Sequence, residues 1–141
     1  MLVKVDYLNT NHINYIKQFA SLCDISFFKY FKKRSVDDAI QTHILTLLEI
    51  EDGCVKGYSH IDFNKERKQY FIGLCVLEKY QKQGIGTNLL NTLLNYADEK
   101  KLTLYLSVDN ENHIAKKMYL NAGFHLLESK ETYQIYIREP K

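Results

Sequence analysis

A single proline, Pro140, three cysteines and no apolar run long enough to span a bilayer are what this 141-residue chain has little of, and each shortage narrows what it can be. Cys23, Cys54 and Cys75 form no CxxC pair and have no histidine at a zinc-binding spacing, which predicts reduced thiols and no metal site. The longest apolar stretches stop well short of the ~20 residues that cross a bilayer, and Met1 to Leu8 lacks the apolar core of a secretory signal. A cytoplasmic protein with no membrane partner is expected. Neither charge sign dominates, and a formal net charge of +2 is too small to imply a nucleic-acid partner. With 45% hydrophobic and 26% charged residues, the composition is that of a globular chain able to bury a core. No repeat, low-complexity tract or linker divides it, so one domain over residues 1–141 is expected.

Periodicity orders the elements. Val3, Val5 and Tyr7 alternate as a first strand; Ile13, Ile16, Phe19 and Ala20 recur at helical spacing; a short second helix starts from Ser35 as its cap and includes Val36, Ala39 and Ile40. Ile44 to Ile50 and Cys54 to Phe63 flank Asp52-Gly53, a strong hairpin signal, and Asn64 to Lys68 turns the chain into a strand over Gln69 to Val76. Leu89, Leu90, Leu93, Leu94 and Ala97 form a helical stripe, and Leu102, Leu104, Leu106 and Val108 alternate as a strand. A helix around Ile114, Ala115, Met118 and Tyr119 ends near Gly123, and Phe124 to Ile137 supplies two more strands. The sum is an α+β fold with a mixed, mostly antiparallel sheet of about seven strands flanked by about four helices.

Between the strand ending at Val76 and the leucine stripe stands Gln81-Lys82-Gln83-Gly84-Ile85-Gly86-Thr87. A strand, a glycine-containing turn and a helix start present unpaired backbone N–H groups and a partial positive charge, which suits an anion. A nucleotide-hydrolysing loop would need Gly-Lys-Ser/Thr, and here Gly86 is followed by Thr87 and Asn88. A dinucleotide fingerprint would need a small residue at position 89 and an acidic one about 20 positions on; Leu89, Tyr105 and Leu106 stand there. Thr87 has two readings, a phosphate contact or a helix cap.

This segment resembles the coenzyme A loop of the GCN5-related N-acetyltransferases (the GNAT family), with Gln81, Gly84 and Gly86 at the pattern's places. Leu74-Cys75-Val76 with Tyr80 upstream, and Asn112, Ala115, Tyr119 and Gly123-Phe124 downstream, resemble the flanking segments, so the likeness covers about residues 70–125 as a coenzyme-binding core. The resemblance implies transfer of an acetyl group from acetyl-CoA, as cosubstrate and without metal, to a primary amine by direct transfer. Backbone N–H groups from Gln83, Gly84, Ile85, Gly86 and Thr87 would hold the pyrophosphate, Lys82 would add charge, Gln81 would orient the loop, and the main chain at Leu74 and Val76 would pair with the pantetheine arm. Asn112 would hydrogen-bond the coenzyme or simply cap its helix.

Tyr119 lies two helical turns from Asn112, on the same face. The resemblance makes it the general acid that protonates the departing thiolate; the alternative is a packed aromatic bonded to a backbone carbonyl. Many members carry a glutamate on the fourth strand as base, and Gln69 to Val76 has no carboxylate. His60 and Asp62, on one face of the preceding strand, are the next candidates, taking the proton directly or through water; the other reading of His60 is an ordinary sheet histidine. His12, His43, His113 and His125 show no metal spacing and read as surface or capping residues. Cys75 reads as an inert filler.

The resemblance also implies acceptor-side helices over about residues 11–43. There Lys29, Lys32, Lys33 and Arg34 fall among Phe27, Phe28, Tyr30 and Phe31, either as an amphipathic segment with wet lysines or as an acceptor pocket. Aromatic faces beside Tyr58, His60 and Asp62 would suit an amino sugar or other small amine. The alternatives are a protein or peptide N-terminus as acceptor, a non-catalytic acyl-CoA sensor, and a regulatory domain binding another anion. A monomer or a homodimer is compatible with the chain.

Overall fold

A computed structural model describes residues 1–24 and 28–141. Its seven-stranded sheet has the order β1-β2-β3-β4-β5-β7-β6, where β1 is Leu2–Lys4, β2 His43–Glu51, β3 Cys54–Asn64, β4 Gln69–Val76, β5 Leu104–Asp109, β6 His125–Ser129 and β7 Tyr133–Arg138. The helices are α1 Thr10–Leu22, α2 Val36–Ala39, α3 Ile85–Lys100 and α4 His113–Asn121. The expected mixed sheet and helix complement are therefore present. Asp52 and Gly53 both take positive φ, 52° and 76°, as a tight hairpin between β2 and β3 demands. Ser35 caps α2 by accepting from Asp38 N at 3.2 Å, as its sequence position suggested.

Two boundaries differ from the periodicity. The first strand stops at Lys4 instead of running to Tyr7, because Asp6 turns the chain by accepting from Leu8 N at 2.9 Å and Asn9 then caps α1. The strand after α3 begins at Leu104, not Leu102. Lys101 takes φ 58° at the helix end and Leu102 N donates to Ala97 O at 2.8 Å, so Leu102 serves the helix terminus before the strand can start.

The sheet is covered on both faces. Leu89, Leu90, Leu93, Leu94 and Ala97 of α3 pack on Leu45, Leu47, Ile61, Ile72, Leu104 and Leu106; each such leucine contributes about 2 kcal/mol when fully buried. On the opposite face Ile16 and Phe19 of α1 meet Leu48, Val55 and Tyr58. Gly57 sets how near α3 comes: a Cβ there would stand 2.9 Å from both Ile85 Cγ2 and Leu89 Cδ1. That approach brings the start of α3 alongside the end of β4.

β4 and β5 are the parallel neighbours, and they pair only at Tyr70 with Leu104 and Phe71 with Tyr105. Beyond Phe71 the strands part, while β4 remains fully paired to β3 on its other edge, from Gln69–Asn64 to Val76–Gly57. An opening in the middle of the sheet results.

Candidate active site

The turn into α3 is built around two residues with positive φ, Lys82 at 65° and Gly84 at 84°. Gln81 Nε2 donates to Val76 O at 3.0 Å and so ties the turn to the end of β4. Gly84 occupies the helix cap and offers no side-chain acceptor, and the first helical return bond is Asn88 N to Gly84 O at 3.0 Å. The N–H groups at the start of α3 therefore have no helical acceptor, and they carry the positive end of a 16-residue helix. Thr87 does not cap: the cap falls three residues earlier, because Gly84 alone can supply the left-handed backbone without strain. Gly86 borders Leu74 and Val76 of β4 and Met118 of α4, each at 3.5–3.9 Å from where its Cβ would be.

Where β4 leaves β5, a groove of about 680 Å³ opens. Leu74, Asn112, Tyr119, His60 and Asp62 all line it, whereas Val76 and the turn from Gln81 to Thr87 stand beyond its lining, at the C-terminal end of β4. Asn112 caps α4, accepting from Ala115 N at 3.2 Å, so its ordinary structural role is present while it also borders the groove. Tyr119 is buried against Phe124, with ring centroids 5.7 Å apart, and its hydroxyl has no hydrogen-bond partner among the described residues. Burial, then the neighbouring Cys75, pushes the Tyr119 phenol well above its ordinary value, so it keeps its proton at neutral pH. Gly123, at φ 97°, closes α4 behind it. Cys75 is pushed up to about 12, first by burial, and so stays a thiol and a poor nucleophile.

On the other wall stands a network that the sequence did not announce. Tyr30 donates to Asp62 Oδ2 at 3.0 Å, and Thr42 Oγ1 donates to Asp62 Oδ1. Tyr30, whose own hydrogen points to Asp62, accepts from His43 Nε2 at 2.7 Å; His43 Nδ1 then accepts from Thr46 Oγ1 at 2.8 Å, and Tyr7 donates to Thr46 at 2.8 Å. His43 is thus buried and bonded at both ring nitrogens, not a surface residue, while its backbone N–H caps the short turn over Ile40–Thr42 by donating to Ile40 O. A register shift between His43 and Leu45 brings His43 and Thr46 together despite their odd spacing, which is why strand alternation concealed the pair. His12 does serve the turn before α1, accepting from Asp6 N at 2.9 Å.

The basic aromatic segment divides between its two readings. Phe31 is buried and Lys32 and Lys33 are exposed, as in an amphipathic segment, yet Phe28, Lys29, Tyr30 and Arg34 line the groove. Phe27 lies outside the described residues. Lys29 reaches across to Asp109 at the end of β5, Nζ to Oδ2 3.4 Å. The groove carries both charge signs, and among the described residues no group of three or more His, Cys, Asp or Glu could hold a metal ion. No described helix is long and apolar enough to cross a membrane.

An open strand edge that leads towards a helix N-terminus without a side-chain cap suits a long ligand with an anionic tail. The sequence profile of the acetyltransferase (GNAT) family matches residues 12–124. The chain belongs to this family, and is an acetyltransferase whose cosubstrate is acetyl-CoA. It is 28% identical over 123 residues to N-alpha-acetyltransferase 50 of Danio rerio, covering 84% of this chain and 73% of that one. The fold superposes with a TM-score of 0.74 on yncA of Salmonella typhimurium, assigned as an acetyltransferase and solved with its cofactor acetyl-CoA, at 17% identity over 100% of this chain and 94% of that one. It superposes at 0.79 on the GNAT domain of S. lividans PAT, at 13% identity over 98% and 89% of the two chains.

Proposed function

We propose that the protein, acting as one domain in the cytoplasm, transfers the acetyl group directly to a primary amine, with Tyr119 as general acid and Asp62 as the carboxylate that receives the amine. The observation that carries this reading is that Tyr119 and Asp62 line one groove together with Leu74, which lies on β4 past its last pairing with β5. The N–H groups from Gln83 to Thr87 and the charge of Lys82 hold the pyrophosphate, and the β4 main chain at Leu74 and Val76 holds the pantetheine arm. Asn112 adds a polar contact to the same arm.

Tyr30 and Thr42 hold Asp62 facing the groove, where its charge draws in the protonated amine and takes up the amine's proton, directly or through water. The nitrogen lone pair then forms the new N–C bond, the nitrogen gives up its remaining extra proton to water, and the C–S bond breaks as the carbonyl re-forms. Tyr119 gives its proton to the leaving thiolate and regains one from solvent. A small amine such as an amino sugar suits the aromatic wall at Tyr30 and Phe71. A peptide α-amine is the second reading, favoured by the 28% identity to N-alpha-acetyltransferase 50.

The test has two stages. A melting-temperature rise with acetyl-CoA that exceeds those with ATP and NAD at equal concentration is expected; a larger rise with ATP or NAD sinks the reading. Thiol release is then scored with a panel of amino sugars, polyamines and peptides. Turnover confined to peptides selects the second acceptor class, and coenzyme binding without thiol release from any amine makes the protein a sensor.

A further inference from the structure

His60 lines the groove while only 2% exposed, and its ring is pinned from two sides, with centroids 4.2 Å from Tyr30 and 4.5 Å from His43. Tyr58, fully buried beside it, has one hydrogen-bond partner among the described residues, His60 Nδ1 at 2.7 Å. A buried O–H left without an acceptor costs about 1–3 kcal/mol, so Tyr58 donates and Nδ1 accepts. A neutral imidazole that accepts at Nδ1 carries its hydrogen on Nε2. Burial, then His43 and Arg34, holds the pKa of His60 well below the ordinary histidine range, so no second proton arrives at neutral pH.

The Cε1–Nε2 edge of the ring faces β4. A Cβ on Gly73 would stand 2.4 Å from Cε1 and 2.7 Å from Nε2, so the imidazole fills the space that any other residue at 73 would take. Gly73 lies past the last pairing of β4 with β5, in the stretch that borders the groove between Leu74 and the β4 start. Nε2, which has no hydrogen-bond partner among the described residues, thus lies beside Gly73, and both residues line the groove on the strand along which the thioester would lie.

We propose that His60 Nε2–H donates a hydrogen bond to the carbonyl oxygen of the acetyl thioester, as an oxyanion donor and not as the proton acceptor; this rests on the acetyl-transfer reading above. As the amine nitrogen adds to the carbonyl carbon, the C=O π pair moves to oxygen and the Nε2–H bond strengthens against the growing charge. When the C–S bond breaks, the pair returns. The proton stays on His60 throughout. A base at Nε2 would need the hydrogen on Nδ1, which would strand the Tyr58 O–H in the core. The titratable and charged groups around the ring are Tyr58 and Asp62 on β3, His43 on β2, and Tyr30 and Arg34 from the segment before α2.

The test joins a tautomer measurement to kinetics. Long-range nitrogen–proton correlation spectra of histidine-labelled protein are expected to show His60 protonated at Nε2 alone at pH 8 and pH 7, whether or not turnover occurs. His60→Leu removes the donor and is expected to lower kcat about 100-fold at every pH; His60→Gln, which places an amide N–H near the same point, is expected to regain about tenfold of that loss. A hydrogen on Nδ1, an imidazolium at pH 7, a folded His60→Leu variant with wild-type kcat, or loss of an acidic limb from the pH profile in that variant would each overturn the proposal. Should His60→Leu not fold, the tautomer in the wild-type protein decides alone. Wild-type protein that releases no thiol with any amine leaves no carbonyl addition for His60 to assist and sinks both readings, whereas an Nδ1–H tautomer in an active enzyme sinks only this one.

Discussion

His60 and Gly73 face each other across β3 and β4, and the imidazole occupies the volume where a side chain at 73 would begin. The glycine is required by that approach and not by its backbone, since it is not among the positive-φ residues. Gly73→Ala is therefore expected to push the ring off its place, lowering the denaturant midpoint by the equivalent of about 1–3 kcal/mol. It should also lower kcat more than the KM for acetyl-CoA. A variant as stable and as active as wild type would show that the ring moves without consequence.

Tyr119→Phe keeps the ring against Phe124 and deletes the only hydroxyl assigned to the thiolate. Loss of a general acid is worth about 10²–10⁴ in rate, so kcat for thiol release should fall about 100-fold or more. The melting-temperature rise with acetyl-CoA should be retained. Unchanged kcat would return Tyr119 to a packing role.

Gly84 sits at φ 84° with no heavy atom within 4 Å of where a Cβ would be, so substitution meets a conformational penalty and no clash. Gly84→Ala should cost about 1–2 kcal/mol in stability. It should also raise the KM for acetyl-CoA by misplacing the first N–H groups of α3. Gly84→Asn, which tolerates the left-handed region better, should lose less of both; equal losses would point to a contact that the free protein does not reveal.

His43 is held down to about 4, first by burial, with Asp62 opposing and Arg34 assisting. An unfolded histidine titrates near ~6.5, so above that pH both states are neutral and the full stability is present. As pH falls from ~6.5 towards about 4 the unfolded chain takes up the proton first, and stability is lost across that window. His60, depressed in the same direction, adds to the loss. Urea midpoints at pH 8, 6, 5 and 4 should decline in the wild type and less steeply in His43→Gln. Parallel curves for the two proteins would count against a buried neutral His43.

Arg138, its side chain 4% exposed, donates to both Asp98 oxygens at 2.9 and 3.1 Å and to Ala122 O at 3.2 Å, joining β7 to the end of α3. Asp98→Asn leaves the guanidinium buried without its counter-charge and should cost about 3 kcal/mol. Arg138, then the Lys141 backbone N–H, holds the Asp98 carboxyl below its usual range. That contribution is present above ~3.9 and is lost as pH falls through the lower folded value. A variant that melts within a degree of the wild type at pH 7 would show the pair to be neutral.

What the sequence by itself determined is local. The Asp52-Gly53 turn, the leucine stripe of α3, the cap at Ser35 and the glycine turn before α3 are each written in a few consecutive residues, because turn chemistry and helical spacing act over about four positions. The same signals ordered the strands, and the turn with its flanking segments pointed to acetyl-CoA. Tertiary structure decided what depends on strand pairing. Only the bulge in β2 brings His43 to Thr46 and Tyr30, and only the register of β3 on β4 sets His60 over Gly73. Only the early end of β4–β5 pairing opens the groove, and only the packing of β7 on α3 gives buried Arg138 its partner. These contacts join residues far apart in the chain, and a shift of one residue in register would turn each side chain to the opposite face.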